Sequence, residues 1–241
     1  MNLSADEIHL WWSFERAADE PALTGLTSLL QPAECERLDN AHSAETRMRL
    51  LATRAMQRTV LARYSPGIEP AALRFVKGEH GKPELAPEFG ALGVFFNLAH
   101  TAGLVVLAVS RYRDVGVDAE NIHERTTALR LARRYFTAEE ARNLEALPIE
   151  QQPARFYSLW TLKESWMKAT GRGLGAGLDN AAFSLDEEHR VAGLSFAAYD
   201  ASDWRFWQFS PSPEHVLALA LRAPGATRAV TVRTREWRPA E

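Results

Sequence analysis

LVVLAVS, at residues 104–110, and VLALALR, at residues 216–222, are two apolar, β-rich runs that each close a hairpin. Upstream of each lies a long helical stretch, residues 44–64 in the first case and 153–170 in the second. Upstream again, Pro32-Ala33-Glu34 leads to Arg37-Leu38, and Thr137-Ala138-Glu139 leads to Arg142 and Leu144. The offset between the copies is a little over a hundred residues each time. This ordered series predicts a diverged tandem duplication. The expected fold is α+β, with two similar half-domains related by a pseudo-twofold, each a small antiparallel sheet packed with a long helix. The half-domains are expected at 1–113 and 114–241, with the active site in the cleft between them.

Around that frame, Ile8, Leu10, Trp12 and Phe14 alternate as an opening strand. Residues 17–30 and 32–40 read as short helices, the second with Pro32 at its first helical position. Strands are expected at 73–76, 94–98 and 115–118. In the second half, helices are expected at 126–135 and 137–146, and strands at 181–185, 192–199, 204–210 and 229–235. Gly171, Gly173, Gly175 and Gly177 break the chain after the second long helix.

The chain has 241 residues, 46% of them hydrophobic and 24% charged, which suits a globular protein with a real core. A net charge of −3 argues against a dominant nucleic-acid surface. Cys35 is the single cysteine, so neither a disulfide framework nor a thiolate metal cage is available. The N-terminus does not read as a signal peptide, and no window is apolar enough to span a bilayer. A cytoplasmic protein is expected.

The second long helix contains WTLKESWMK, residues 160–168. Trp160, Glu164 and Lys168 lie at i, i+4 and i+8 and share one face. Taken alone, this reads as an amphipathic helix with one Glu-to-Lys surface pair. GVDAE, residues 116–120, follows a short strand, so Asp118 and Glu120 point the same way. Two carboxylates without His or Cys suit a hard cation, Mg²⁺ above all, and Glu164 offers a third. On its own such a D-x-E at a strand end is equally a solvated pair.

Other motifs supply positive charge. GEHGKP, residues 78–83, is a glycine loop presenting Lys82, or an ordinary hairpin turn. Its spacing is not that of a Walker A loop. His100 ends a strand and is able to donate to a phosphate oxygen, or serves as a structural hydrogen-bonder. The first long helix carries Arg47, Arg49, Arg54 and Arg58. Arginine suits a terminal phosphate, although Arg49 and Arg54 sit roughly 140° apart on the helix. Together these residues point to magnesium-dependent chemistry on a diphosphate, without naming the group transferred.

The motifs are similar to those of the Sfp-type 4′-phosphopantetheinyl transferases. GVDAE resembles the family's G-[VI]-D-x-E, and WTLKESWMK resembles its W-[ST]-x-K-E-[SA]-x-x-K. GKP, FNLAH at 96–100 and FTAEE at 136–140 follow in family order. The resemblance covers about residues 30–178 and implies the two-lobed 4′-phosphopantetheinyl transferase fold. It implies that coenzyme A binds, that Mg²⁺ bridges its diphosphate, and that a carrier-protein serine attacks the β-phosphate and releases 3′,5′-ADP. By motif, Asp118, Glu120 and Glu164 would hold the metal, Glu164 would accept the serine proton, and Lys168 would neutralise diphosphate charge. Lys82 and His100 would contact coenzyme A phosphates, Thr101 retains a hydroxyl beside them, and Arg49 and Arg54 would reach the 3′-phosphate. Lys163 reads either as a phosphate contact or as support, and Glu140 is a family acid of undefined role. Ala99 departs from the family's serine, and Ala119 from its more usual Ile or Val.

The implied partner is an apo acyl or peptidyl carrier protein, of fatty-acid, polyketide or peptide synthesis, and a monomer suffices. Arg125, Arg130, Arg133 and Arg134, with Leu129 and Leu131, form an amphipathic basic stretch that would dock an acidic carrier or is simply a solvated helix. The rival readings are another Mg²⁺-dependent phosphotransferase or hydrolase, and a coenzyme A- or carrier-binding module without catalysis.

Overall fold

A computed structural model describes residues 1–14, 20–78, 81–122, 128–171, 177–225 and 228–239. The expectations on residues 17–19, Arg125, residues 126–127, Gly173 and Gly175 lie outside the described residues. The chain divides into two compact units, one built on 1–78, 82–113 and 228–239, the other on 114–225.

The first unit opens with β1 (Glu7–Phe14), α1 (Glu20–Gly25), α2 (Pro32–Asp39) and α3 (Ala44–Ala62). It continues with β2 (Phe75–Lys77), β3 (Pro83–Leu85), β4 (Phe95–Thr101) and β5 (Leu104–Ser110). The second unit contains β6 (Val115–Asn121), α4 (Ala128–Tyr135), α5 (Ala138–Glu145), α6 (Gln152–Thr170), β7 (Ala181–Leu185), β8 (Val191–Phe196), β9 (Trp204–Ser212) and β10 (His215–Arg222). β11 (Thr231–Glu236) follows. The architecture is α+β, and both units repeat the order of short helix, long helix and closing hairpin. The two long helices each run for 19 residues. Ser43 starts α3 by accepting the Thr46 N–H at 3.1 Å, and Gly171 ends α6 in the left-handed region at φ 69°.

In the first unit the sheet order is β11-β1-β5-β4. β1 pairs antiparallel with β5 and parallel with β11. The C-terminal strand, expected to finish the second half-domain, therefore belongs to the first unit. The Trp237 N–H donates to Trp12 O at 2.7 Å, and its indole is buried against α3, where Nε1 donates to Thr59 Oγ1 at 2.9 Å. Being central, β1 has no polar face: His9, Trp11 and Ser13 are buried along with Ile8 and Leu10. The alternation of Ile8, Leu10, Trp12 and Phe14 does not mark its core face. Of the expected helix at 17–30, the described residues 20–30 do not form one helix, because α1 passes into a 3-10 turn at Leu26–Leu29. The strand at 73–76 shifts to β2 and pairs antiparallel with β3, the hairpin that the second reading of GEHGKP implied.

In the second unit the sheet order is β6-β10-β9, with β7 and β8 forming a separate hairpin. α6 lies against β6 and β10. The β10 residues facing this helix, Val216, Ala218 and Ala220, are small and buried. Opposite them on β6 stand Glu120, Asp118 and Gly116. A Cβ on Gly116 would lie 2.1 Å from the Ser165 carbonyl oxygen and 2.3 Å from the Ala169 nitrogen. Only glycine lets the strand approach the helix backbone so closely.

Gly116→Ala is expected to force β6 and α6 apart, at a cost of about 3 kcal/mol, which lowers the melting temperature by roughly 6–12 °C. An unchanged midpoint in thermal denaturation would contradict this close packing.

Candidate active site

The contact at Gly116 sets the next residue on that face of β6, Asp118, beside the last turns of α6. Asp118 is buried, and its Oδ1 accepts a hydrogen bond from Lys168 Nζ at 2.7 Å. Its Oδ2 is also buried and has no hydrogen-bond partner. Glu164, one helical turn before Lys168, is half-buried. Burial, and then the charge of Asp118, push its carboxyl up to about 7, while Lys168 pulls the other way. Lys168 thus serves Asp118 across the strand–helix boundary, instead of forming the helix-surface pair with Glu164 that the spacing suggests.

Asp118, Glu164 and Lys168 form one cluster in the second unit. Glu120 lies two residues further along the same face of β6, opposite Val216. Among the described residues, no three His, Cys, Asp or Glu side chains converge closely enough to enclose a metal ion. Asp118 and Glu120 of the expected ligand set lie on β6 and Glu164 on the facing α6, and the ammonium of Lys168 supplies the positive charge at Asp118. The donor set fits a hard divalent cation: a buried carboxylate oxygen lacks a partner, and a second carboxyl is raised by burial and by the charge of the first. Asp118 and Glu164 would hold such an ion, with Glu120 beside them.

Lys163 is not part of this cluster. It is fully buried, with Nζ 2.8 Å from Glu140 Oε2, donating to Leu178 O at 3.0 Å and also to Ala181 O. Burial pulls its pKa below the usual lysine value, against the opposing charge of Glu140. This buried and fully engaged position fits the second of its two expected roles, support. Glu140 gains its role here. Its Oε2 accepts the Thr137 N–H at 2.8 Å, capping α5, and its Oε1 accepts the Phe183 N–H at 2.8 Å. Trp160 also leaves the site, packing with Phe136 and Phe156. Trp166 stacks on Phe196 at 5.4 Å.

The remaining candidates lie in the first unit. Arg49 is half-buried on α3. Arg54 donates to Gln57 Oε1 at 2.8 Å, and its Nε lies 3.6 Å from Glu34 Oε1, so its charge is already engaged. Lys82 and Arg113 border a 340 Å³ cavity lined by Phe89, Phe95 and Phe96. His100 is exposed on β4, and the neighbouring Thr101 is buried.

Comparisons with known proteins match this division. Residues 17–112 match the family model "4′-phosphopantetheinyl transferase, N-terminal", and residues 114–220 match the "4′-phosphopantetheinyl transferase superfamily". 4′-Phosphopantetheinyl transferase HetI of Nostoc sp. is 35% identical over 174 residues, 72% of this chain and 73% of the relative. The chain belongs to the 4′-phosphopantetheinyl transferase superfamily. A 4′-phosphopantetheinyl transferase of Bacillus subtilis is 30% identical over 176 residues, 73% of this chain and 74% of that protein. 4′-Phosphopantetheinyl transferase Sfp of Bacillus subtilis strain 168 is 28% identical over 165 residues, covering 68% and 70%. Among the described residues of this family member, no helix is long and apolar enough to cross a membrane.

The raised carboxyl of Glu164 carries a stability cost whose sign is fixed. Its folded value, about 7, exceeds its ordinary 4.5, so the cost is absent below about pH 4.5 and complete above about pH 7. Glu164→Gln is expected to be more stable than wild type at pH 8, by on the order of 1 kcal/mol once solvent screening is allowed for. Thermal midpoints across pH should show the gap closing toward pH 4.5; a gap constant with pH would refute the raised value.

Proposed function

We propose that this protein is an enzyme that transfers the 4′-phosphopantetheine group from coenzyme A to a serine of an apo acyl or peptidyl carrier protein. The observation that carries this reading is the cluster of Asp118, Glu164 and Lys168 on a chain of this family. A bound Mg²⁺ supplies charge neutralisation at the diphosphate. Glu164, with its carboxyl near neutrality, is suited to take the serine proton as the hydroxyl oxygen bonds to the β-phosphorus. The bond from that phosphorus to the oxygen bridging the α-phosphate breaks, and 3′,5′-ADP leaves. Lys168, partly exposed, offsets charge on the diphosphate oxygens.

Coenzyme A phosphates are assigned to Lys82, His100 and Arg49, with Thr101 beside them and Arg54 secondary because Glu34 engages it. A monomeric state and a cytoplasmic location are further parts of the proposal. Incubating the protein with coenzyme A, Mg²⁺ and an apo carrier should add the phosphopantetheine mass to the carrier. Hydrolysed coenzyme A beside an unmodified carrier would instead indicate a hydrolase, and binding without reaction a non-catalytic module. Glu164→Gln and Lys168→Ala should each lower kcat by about 10²-fold or more.

The carrier is assigned to α4. Arg130 and Arg134 are exposed there, with Arg134 over the Tyr135 ring, whereas Arg133 is paired with Glu145. Carriers with acidic helices match this charge. The Arg130→Glu, Arg134→Glu double variant should raise KM for the carrier by about 10-fold and leave coenzyme A binding unchanged. Steady-state kinetics with unaltered carrier KM would remove α4 from the interface.

A further inference from the structure

We infer that Glu140 and Lys163 are positioning residues for the transfer reaction, their buried ion pair fixing the turn of α6 that presents Glu164. This rests on the role given to Glu164 above. The three donors of the Lys163 ammonium meet Glu140 Oε2, Leu178 O and Ala181 O, so none is left over. Glu140 in turn caps α5 and holds the Phe183 N–H. Four segments therefore meet at one pair: α5, α6, the 3-10 turn Leu178–Asn180 and β7. The rings of Phe136 and Phe183 flank the ammonium at 5.2 and 5.8 Å and keep it dry.

Lys163 and Glu164 are consecutive on the helix, about 100° apart. Anchoring the first on the buried side sets the rotation and height at which the second faces Asp118. Apolar residues would fill the same space without an equal loss of stability. What the ion pair adds is direction, since three hydrogen bonds to separate backbone segments define one position for the helix. A misplacement of about 1 Å in a reacting group costs about 10²-fold in rate.

The first unit contains the same device with arginine in place of lysine. Glu34 accepts the Gln31 N–H at 2.9 Å at the start of α2 and pairs with buried Arg58 on α3 at 2.7 Å. Arg58 donates to Leu73 O at 2.6 Å, in the connection that follows its helix, and lies over Phe75. The repeated device identifies arginine as the conservative replacement at 163.

The test compares Lys163→Met, Lys163→Arg and Glu140→Gln with wild type, using kcat, KM for coenzyme A and amide hydrogen exchange across residues 160–168. Lys163→Met should lower kcat by about 10–100-fold with KM within about 2-fold, and should accelerate α6 exchange by about 10-fold. Lys163→Arg should recover both to within about 5-fold of wild type. Glu140→Gln keeps the side-chain shape and should give a smaller effect in the same direction, which serves if Lys163→Met does not fold. A folded Lys163→Met or Glu140→Gln with wild-type kcat or unchanged α6 exchange would overturn the inference, as would an arginine variant no better than methionine. If wild type leaves the carrier unmodified while exchange responds as expected, the proposed function fails and the positioning pair stands.

Discussion

A carboxylate paired with a buried cation between a short helix and a long one holds each unit in shape. Removing a charge from water costs several kcal/mol, and the expense is offset only when every donor and acceptor is met. Both units meet that condition in the same way. The acid, Glu34 or Glu140, caps its own short helix, and the cation, Arg58 or Lys163, donates to carbonyls in the segment that leaves the long helix. One interaction thereby fixes how the short helix enters, how the long helix lies and where the chain goes next. The sheet that receives the long helix, and any side chain that helix presents, inherit this geometry.

The same registration shows what differs between the copies. Core-facing Val105, Leu107 and Val109 of β5 stand where β10 has Val216, Ala218 and Ala220. Trp11 pairs opposite Leu107 as Asp118 pairs opposite Ala218. Counting from the buried cations, Thr59 occupies the place of Glu164, and Arg63 that of Lys168. Arg63 lies over the Trp11 ring at 5.0 Å, as Lys168 reaches Asp118. His9 contacts Tyr64 where Gly116 meets Ala169. The first unit has thus an indole in place of the carboxylate, and its threonine is covered by Trp237. Two positions on an otherwise shared scaffold thus carry carboxyls in the second copy and an indole and a hydroxyl in the first.

Local patterning was enough to read the long helices, the hairpins and the duplication, because apolar periodicity and turn residues are properties of neighbouring positions. The motif residues Asp118, Glu164 and Lys168 were legible for the same reason, as each sits in a short run with distinctive spacing. Pairing between distant segments was not legible. Residues 229–235 read correctly as a strand, yet nothing local says that it lies parallel to β1. Lys163 read as a phosphate contact or support because its burial depends on Glu140, twenty-three positions earlier. The duplication itself held the missing signal: the acids that match by capping are Glu34 and Glu140, one residue from the pairing of Glu34 with Glu139 that the sequence suggested.

Buried charge therefore has two meanings in this chain, and satisfaction separates them. Lys163 and Arg58 are surrounded by acceptors that use their donors, and such complete networks define a structure. Asp118 is different: one oxygen is held by Lys168, the other is buried without a partner, and its charge adds to burial in raising the carboxyl of Glu164. A site that needed only to be stable would relieve this, as the first unit does with Trp11 and Thr59. Leaving two carboxyls and one ammonium in mutual tension is useful where a cation and a phosphate oxygen are to enter, since binding supplies the partners that folding withheld. The residue that makes the tension possible has no side chain at all. Gly116 brings the strand carrying Asp118 against the helix carrying Glu164, so the carboxyl cluster is a consequence of backbone proximity before it is one of charge.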